Sequence, residues 1–562
     1  MAKKKKKKLK KNSCFGLLLI IIVIGLIVFY VNNKNFMQMK NEAYLASDVP
    51  KITLYNENKE SVLEVVRGKE IDLYINQVLE LDENYLKIKY DDKEYYVNKD
   101  NIVYDKKEVV KESEVYVRTS YNLNEDLDGV SLSVLCNKGD KLLVTGYDKL
   151  NDDGTVNMYE VETSDGTKGY FYQKYVVSTE DEALKNYDVD GIYKIHSDKK
   201  DNLGGGDGAS LDYYPVIKPT FEDNKMPDNV YSLYLNGTKS VIGKVDEYIE
   251  YAKTTKINAF VVDIKDSGVS AYKSPVMKEL TETSYKNAQN SLEAYQEAIK
   301  KIKDAGFYVI GRITTFKDTY FINDHKEYAI SNKDGSPMYH QSSYWPSAYN
   351  REVWEYNLLL AKEAVTLMGF NEIQFDYVRF PDGLRDEEKA NIVDYKNTYN
   401  ETKAQAIQRF LMYVTNELHK LNVYVSCDVF GESSSGYITA YGQYWPAISN
   451  VVDVISAMPY TDHFSRTDSS YWTNPYNTMK TWGKTAIARQ KEISTPAIAR
   501  TWITAYNTPY WKPTVTYNGE KLTDQIKALY EVGLDGGYMT WKSDSSLTKY
   551  KAQKSAFDKE YE

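Results

Sequence analysis

From about Val230 onward, short apolar runs alternate with longer stretches in which apolar residues recur every three or four positions. The runs are VYSLYLNG, INAFVVDIKD, FYVIGRITTF, EIQFDYVRF, VYVSCDVF, VDVISAMPY, TPAIARTWI and GGYMTWKS, eight candidate strands. Between them, residues 350–369 set Trp354, Leu358, Ala361, Val365 and Met368 on one helical stripe with Asn350 as N-cap. Residues 402–420 do the same with Ile407, Phe410, Leu411, Val414 and Leu418. Strands this apolar need cover on both faces, which a parallel sheet ringed by helices provides. Eight βα units over roughly 320 residues predict a (β/α)8 TIM barrel at 227–550. A doubly wound open sheet is the rival, but no Gly-rich phosphate loop follows the first strand.

Ahead of the barrel the apolar period drops to two. SVLEVVRGKEIDLYI followed by YLKIKYDDKEYYVNKDNIV is matched further on by VSLSVLCNKGDKLLVTG and MYEVETSDGTKGYFYQKYVV. Alternation with tight turns at Asp91-Asp92 and Asp165-Gly166 predicts two small all-β domains, 51–106 and 113–178. The second opens with EVYVRTSYNL and closes with GTKGYFYQKYVV, and there it resembles the bacterial SH3-like domains of cell-envelope proteins. The first lacks the Val-Arg-Thr-Ser opening. The resemblance implies either binding to a cell-wall component or a spacer role. Residues 179–226, which include NLGGGDGAS, read as a linker.

The N-terminus adds a location. A basic tail, 1–13, precedes an uninterrupted apolar run at 14–31, near the ~20 residues that cross a bilayer as a helix. No small-residue cleavage site follows it, so the run reads as an uncleaved transmembrane helix rather than a signal peptide. The lysines hold their side in the cytoplasm, which puts the rest of the chain outside the cell as a single-pass membrane protein. Net charge is −9 over the 562 residues. Setting aside the eight lysines at 3–8, 10 and 11 leaves about −17 for the remainder, which repels phosphate backbones and excludes nucleic acid as a partner. Three cysteines, at 14, 136 and 427, make no disulfide framework.

In a TIM barrel the chemistry sits at the C-terminal ends of the strands. There this sequence places Asp263 and Lys265, Arg312, Asp376 with Tyr377 and Arg379, Asp428 and Glu432, Tyr460 and Asp462, Arg500 and Trp502, and Trp541. A guanidinium beside one carboxylate keeps it ionised, while a second, less well paired carboxyl stays protonated near neutral pH. Two carboxyls so differentiated suit glycoside hydrolysis, one attacking or positioning water and the other protonating the leaving oxygen. Trp345, Trp445, Trp502 and Trp541 offer faces for sugar rings. Each residue also has a structural alternative: Asp376 as an acid tied to Arg379, Asp428 as a loop cap, Lys265 in a salt bridge closing the barrel, Glu372 as an interior partner. The five histidines are scattered and no Gly-x-Ser-x-Gly occurs, so neither a histidine metal site, nor a cofactor, nor a serine triad is expected.

The strings AFVVDIKDSGVSAYKS, YVIGRITTFKD, NREVWEYNLLLAKEAVTLMGFNEIQFDYVRFPDG, VYVSCDVFG and DVISAMPY resemble, in order, the motifs of an uncharacterised bacterial family of glycosyl hydrolases. The resemblance implies a TIM barrel similar to the α-amylase and α-galactosidase groups, in which a strand-four aspartate is the nucleophile. That role falls on Asp376, with Asp428 first and Asp462 second as the acid. Gln374 stands where the amylases carry an arginine, and Arg379 or Arg312 is expected to serve instead. The expected function is hydrolysis of an envelope or extracellular polysaccharide at the membrane surface. The alternative is a non-catalytic polysaccharide-binding or envelope-scaffold protein.

Overall fold

The computed structural model describes residues 41–74, 80–185, 205–206, 208–212, 217–508, 510 and 512–561. The expected transmembrane helix at 14–31 lies outside the described residues; among them, no helix is long and apolar enough to cross a membrane. The described residues divide into two compact units, those within 41–118 and 136–184, and those within 119–135 and 185–561.

The first unit is built from antiparallel sheets. One uses eight strands between Asn41 and Val103, around Ala43, Leu45, Ile52, Leu54, Ile71, Ile88 and Val97. Its Tyr85–Tyr90 and Lys93–Asn98 strands join through Asp91 and Asp92, both at positive φ (48° and 59°), the conformation a two-residue type I′ hairpin requires. In the other, Lys168–Tyr172, Met158–Glu162, Lys141–Tyr147, Glu114–Val117 and Val176–Val177 lie side by side in that order. Buried Arg67 ties the two together. Its guanidinium donates to Ser47 O (2.9 Å), Gly154 O (2.9 Å) and Glu112 Oε2 (2.6 Å), so the two small sheets form one body.

The second unit is a mixed α/β fold around a nearly closed parallel barrel. Its strands are β1 (Val230–Leu235), β2 (Ala259–Asp266), β3 (Tyr308–Thr314), β4 (Glu372–Asp376), β5 (Tyr424–Phe430), β6 (Val454–Met458), β7 (Ile498–Ala499 and Thr501–Thr504) and β8 (Gly537–Trp541). All neighbours are parallel, and β1 pairs with β8. The ends of the sheet meet inside β7: residues 498–499 pair with β6 and 501–504 with β8, while Arg500 N between them donates to Ile455 O at 3.0 Å.

Among the enclosing helices, α1 (Arg351–Met368) and α2 (Lys403–His419) start where their caps dictate. Asn350 accepts from Val353 N, and Thr402 forms a reciprocal capping box with Gln405. Alternate strand residues fill the barrel: Val230, Tyr234, Val261, Tyr308, Ile310, Tyr424, Trp502 and Met539 share one core. Part of the segment read as linker closes its floor. Phe221 and Met226 pack on that core, Phe221 N donates to Tyr424 Oη (3.2 Å), and Asn224 donates to Asn371 O (2.8 Å).

Candidate active site

The site grows out of the register of β3, β4 and β5. Arg312 sits beside Gln374 and Asp263, and Phe375 sits beside Cys427, so the next inward positions, Asp376 and Asp428, are neighbours across the top of the barrel. The buried guanidinium of Arg312 occupies the centre. Its Nε and Nη2 both donate to Asp376 Oδ2, at 3.1 and 2.6 Å, and its Nη1 donates to Asp263 Oδ1 at 2.7 Å. Nε also lies 3.9 Å from Asp428 Oδ2, so the two carboxyl oxygens are no more than about 7 Å apart, the sum of the two legs.

Asp376 and Asp428 are both buried, yet they live in different electrostatic environments. Asp376 takes the Arg312 bonds on Oδ2 and the Tyr377 N–H on Oδ1 (2.6 Å), so both of its oxygens accept hydrogen bonds. Asp428 Oδ1 accepts from Trp502 Nε1 at 2.8 Å, whereas Oδ2 has no hydrogen-bond partner among the described residues. Burial and then the neighbouring Asp376 carboxylate raise the Asp428 carboxyl well above the usual range, with Arg312 opposing. Asp263, also buried, is pushed up to about 7, mainly by burial, with Arg312 opposing and Asp266 adding. Its Oδ2 accepts from the Tyr234 hydroxyl.

These groups open into a cavity of about 240 Å³ lined by Arg312, Asp376, Tyr377, Arg379, Asp428, Phe430, Met458, Tyr460, His463, Trp502 and Trp541. Tyr377 holds positive φ (53°), unusual for a bulky residue, directly after Asp376. Arg379 does not pair with Asp376. It donates to Asp382 (2.9 Å) and lies 4.4 Å from the Phe430 ring centroid and 5.0 Å from that of Trp345. The cation that fixes Asp376 comes from β3 instead.

Six residues expected in the site lie elsewhere or line no part of the cavity. Asp263 touches it only through Arg312. Lys265 turns away, because the β2 register shifts between Asp263 and Lys265; this bulge sets Lys265 beside outward-facing Ile313. There it pairs with Asp318 (2.7 Å) and Asn357 (3.1 Å), wholly buried. Arg500 lies low in the barrel, not at the rim, and grips Glu372 at 2.9 and 3.0 Å, which gives Glu372 the interior role. Asp462 accepts from Tyr506 Oη at 2.6 Å. Trp345 and Trp445 are packed away, with indole N–H groups on His340 O and Gln490 Oε1. The sequence reading missed Phe430, Met458 and His463 as site residues; they lie within two residues of Asp428, Tyr460 and Asp462 and carry no charge pattern to mark them.

A sequence profile described as "Putative glycosyl hydrolase domain" matches residues 232–547, from within β1 to beyond β8. The chain belongs to this family. A glycosyl hydrolase domain therefore carries the Arg312 cluster at its mouth. Solved structures similar to it include a hypothetical protein from Ruminiclostridium thermocellum, 32% identical, covering 35% of this chain and 97% of that one with a TM-score of 0.29. The PgaB (BpsB) glycoside hydrolase domain from Bordetella bronchiseptica is 13% identical, covering 59% and 99%, with a TM-score of 0.43. The GH20 exo β-N-acetylglucosaminidase from Vibrio harveyi in complex with N-acetylglucosamine is 14% identical, covering 60% and 55%, with a TM-score of 0.39. A search of curated proteins gives no match.

Proposed function

We propose that this glycoside hydrolase cleaves an envelope or extracellular polysaccharide with Asp376 as nucleophile and Asp428 as acid/base. The observation that carries the reading is the asymmetry about Arg312: one carboxyl has both oxygens hydrogen-bonded, and the other has a buried oxygen with no hydrogen-bond partner among the described residues and a raised pKa. Asp376 attacks the anomeric carbon as Asp428 gives its proton to the departing oxygen. Water then attacks the glycosyl-enzyme, Asp428 takes its proton, and Asp376 is released. The Oδ2 atoms of Asp376 and Asp428 lie within about 7 Å of each other, which is compatible with the ~5–5.5 Å spacing of retention and supports that reading. The sugar released should keep its anomeric configuration, read by NMR before mutarotation.

In this reading residues 14–31 tether the enzyme, the body lies outside the cell, and the small sheets engage a cell-wall component. The test uses the full-length chain in detergent, wild type against Asp376→Asn, on purified envelope polysaccharides, with new reducing ends counted. Release by wild type alone supports the assignment. Equal release by both removes Asp376 from the mechanism.

A further inference from the structure

A second cavity, of about 840 Å³, adjoins the first and shares with it Phe430, Met458, Tyr460 and His463. It runs as an open trough over the segments that follow β5 and β6. Its size falls in the roughly 300–1,000 Å³ range of pockets that enclose ligands of several rings, whereas the 240 Å³ cavity below falls short of it.

We infer that this trough binds further sugars of a glycan chain without acidic groups, continuing outward from the unit held at Asp376 and Asp428. The inference rests on the hydrolase reading for the position of that first unit. Three observations support it. The shared wall makes the trough continuous with the candidate active site, so a chain leaving one enters the other. Phe464, 39% exposed, lies nearly parallel to Tyr471 in the trough lining, with centroids 5.5 Å apart and planes 6° apart. An exposed ring held this way gives an apolar face for a sugar, and Asn477, with the amide nitrogen of Asn474, whose oxygen caps the helix Pro475–Lys491, adds polar groups to the same lining.

The charge of the lining sets the class of chain. Among the described residues that line the trough, Glu432 and Asp468 are acidic and none is Lys or Arg. Glu432 accepts from the hydroxyls of Tyr437 (2.7 Å) and Tyr441 (2.9 Å), and Asp468 accepts from Ser470 N (3.0 Å) and Oγ (2.7 Å), so both are held in place. Two fixed carboxylates with no cation between them repel uronates and phosphate-bearing chains.

The test measures binding by the full-length chain carrying Asp428→Asn, so that turnover does not consume the probes. The probes are cellohexaose, chitohexaose, their disaccharides and hexagalacturonate, titrated calorimetrically. At least one neutral hexasaccharide is expected to bind about tenfold more tightly than its disaccharide. Adding Phe464→Ala and Tyr471→Ala should erase that gain without changing disaccharide affinity, and hexagalacturonate should not bind. No length-dependent gain across the panel, a gain that survives the double substitution, or equal binding of hexagalacturonate would overturn the inference. Gain dependent on Phe464, together with no release of reducing ends by the wild type from any probe it binds, would leave the trough standing and sink the hydrolase reading.

Discussion

Asp376 and Asp428 approach the same Nε atom of Arg312, at 3.1 and 3.9 Å, but Asp376 alone is hydrogen-bonded to it. One shared cation thus gives two carboxyls of the same chemistry different surroundings, and burial beside Asp376 raises the Asp428 carboxyl well above the usual range. Replacing Asp428 by Asn should cost about 10²–10⁴-fold in kcat/KM on a substrate with a sugar leaving group, and far less on a dinitrophenyl glycoside, whose leaving oxygen needs no proton. Replacing Asp376 by Asn should abolish turnover of both. Equal losses for the two leaving groups in Asp428→Asn would withdraw the acid role.

The raised Asp263 pKa has a consequence for stability with a definite sign. Its carboxyl titrates near 7 in the folded chain, against about 3.9 unfolded. Below pH 4 both states hold the proton and the contribution is complete; between about pH 4 and 7 the unfolded state loses it first, so stability falls as pH rises. Urea denaturation of the wild type should therefore lose ground against Asp263→Asn across that window. A difference between the two that does not change with pH would refute the assignment.

Lys265 and Asp318 form a wholly buried pair outside the barrel wall. Lys265→Met strands the Asp318 charge and should cost about 3–5 kcal/mol in unfolding free energy. The kcat of the protein that remains folded should stay within about twofold of wild type, because Lys265 lines no part of the cavity. A selective rise in KM with unchanged stability would restore Lys265 to the substrate.

Tyr377 holds positive φ immediately after Asp376. Tyr377→Gly and Tyr377→Ala both lose the ring, but only glycine adopts this conformation without cost. The Gly variant should be more stable than the Ala variant by about 1 kcal/mol, by chemical denaturation. Equal stabilities would mean that the backbone relaxes when the ring is removed.

Much of this protein was legible before its fold was known. The eight strand segments lie in the order the apolar runs predicted, since strand patterning and helix caps such as Asn350 are local properties. Asp376 and Asp428 were visible as acids at the ends of apolar runs, where burial of a charge needs a partner or a purpose. The sequence could not show which cation serves which acid. Arg379 stands three residues from Asp376, but its side chain goes to Asp382, while Arg312, 64 residues away, supplies the bond because β3 and β4 are neighbours in register.

The same physics explains the misplaced Lys265 and Arg500. Strict alternation puts Asp263 and Lys265 on one face, and a single bulge reverses that. Arg500 looked like the end of a strand until pairing with β6 and β8 set it low in the barrel, against Glu372. The sequence by itself determined the elements and the chemical inventory of the rim, because those follow from neighbours along the chain. The tertiary structure alone decided the pairing of charges, and with it the raised Asp428 carboxyl, because buried electrostatics depend on distances set by strand register.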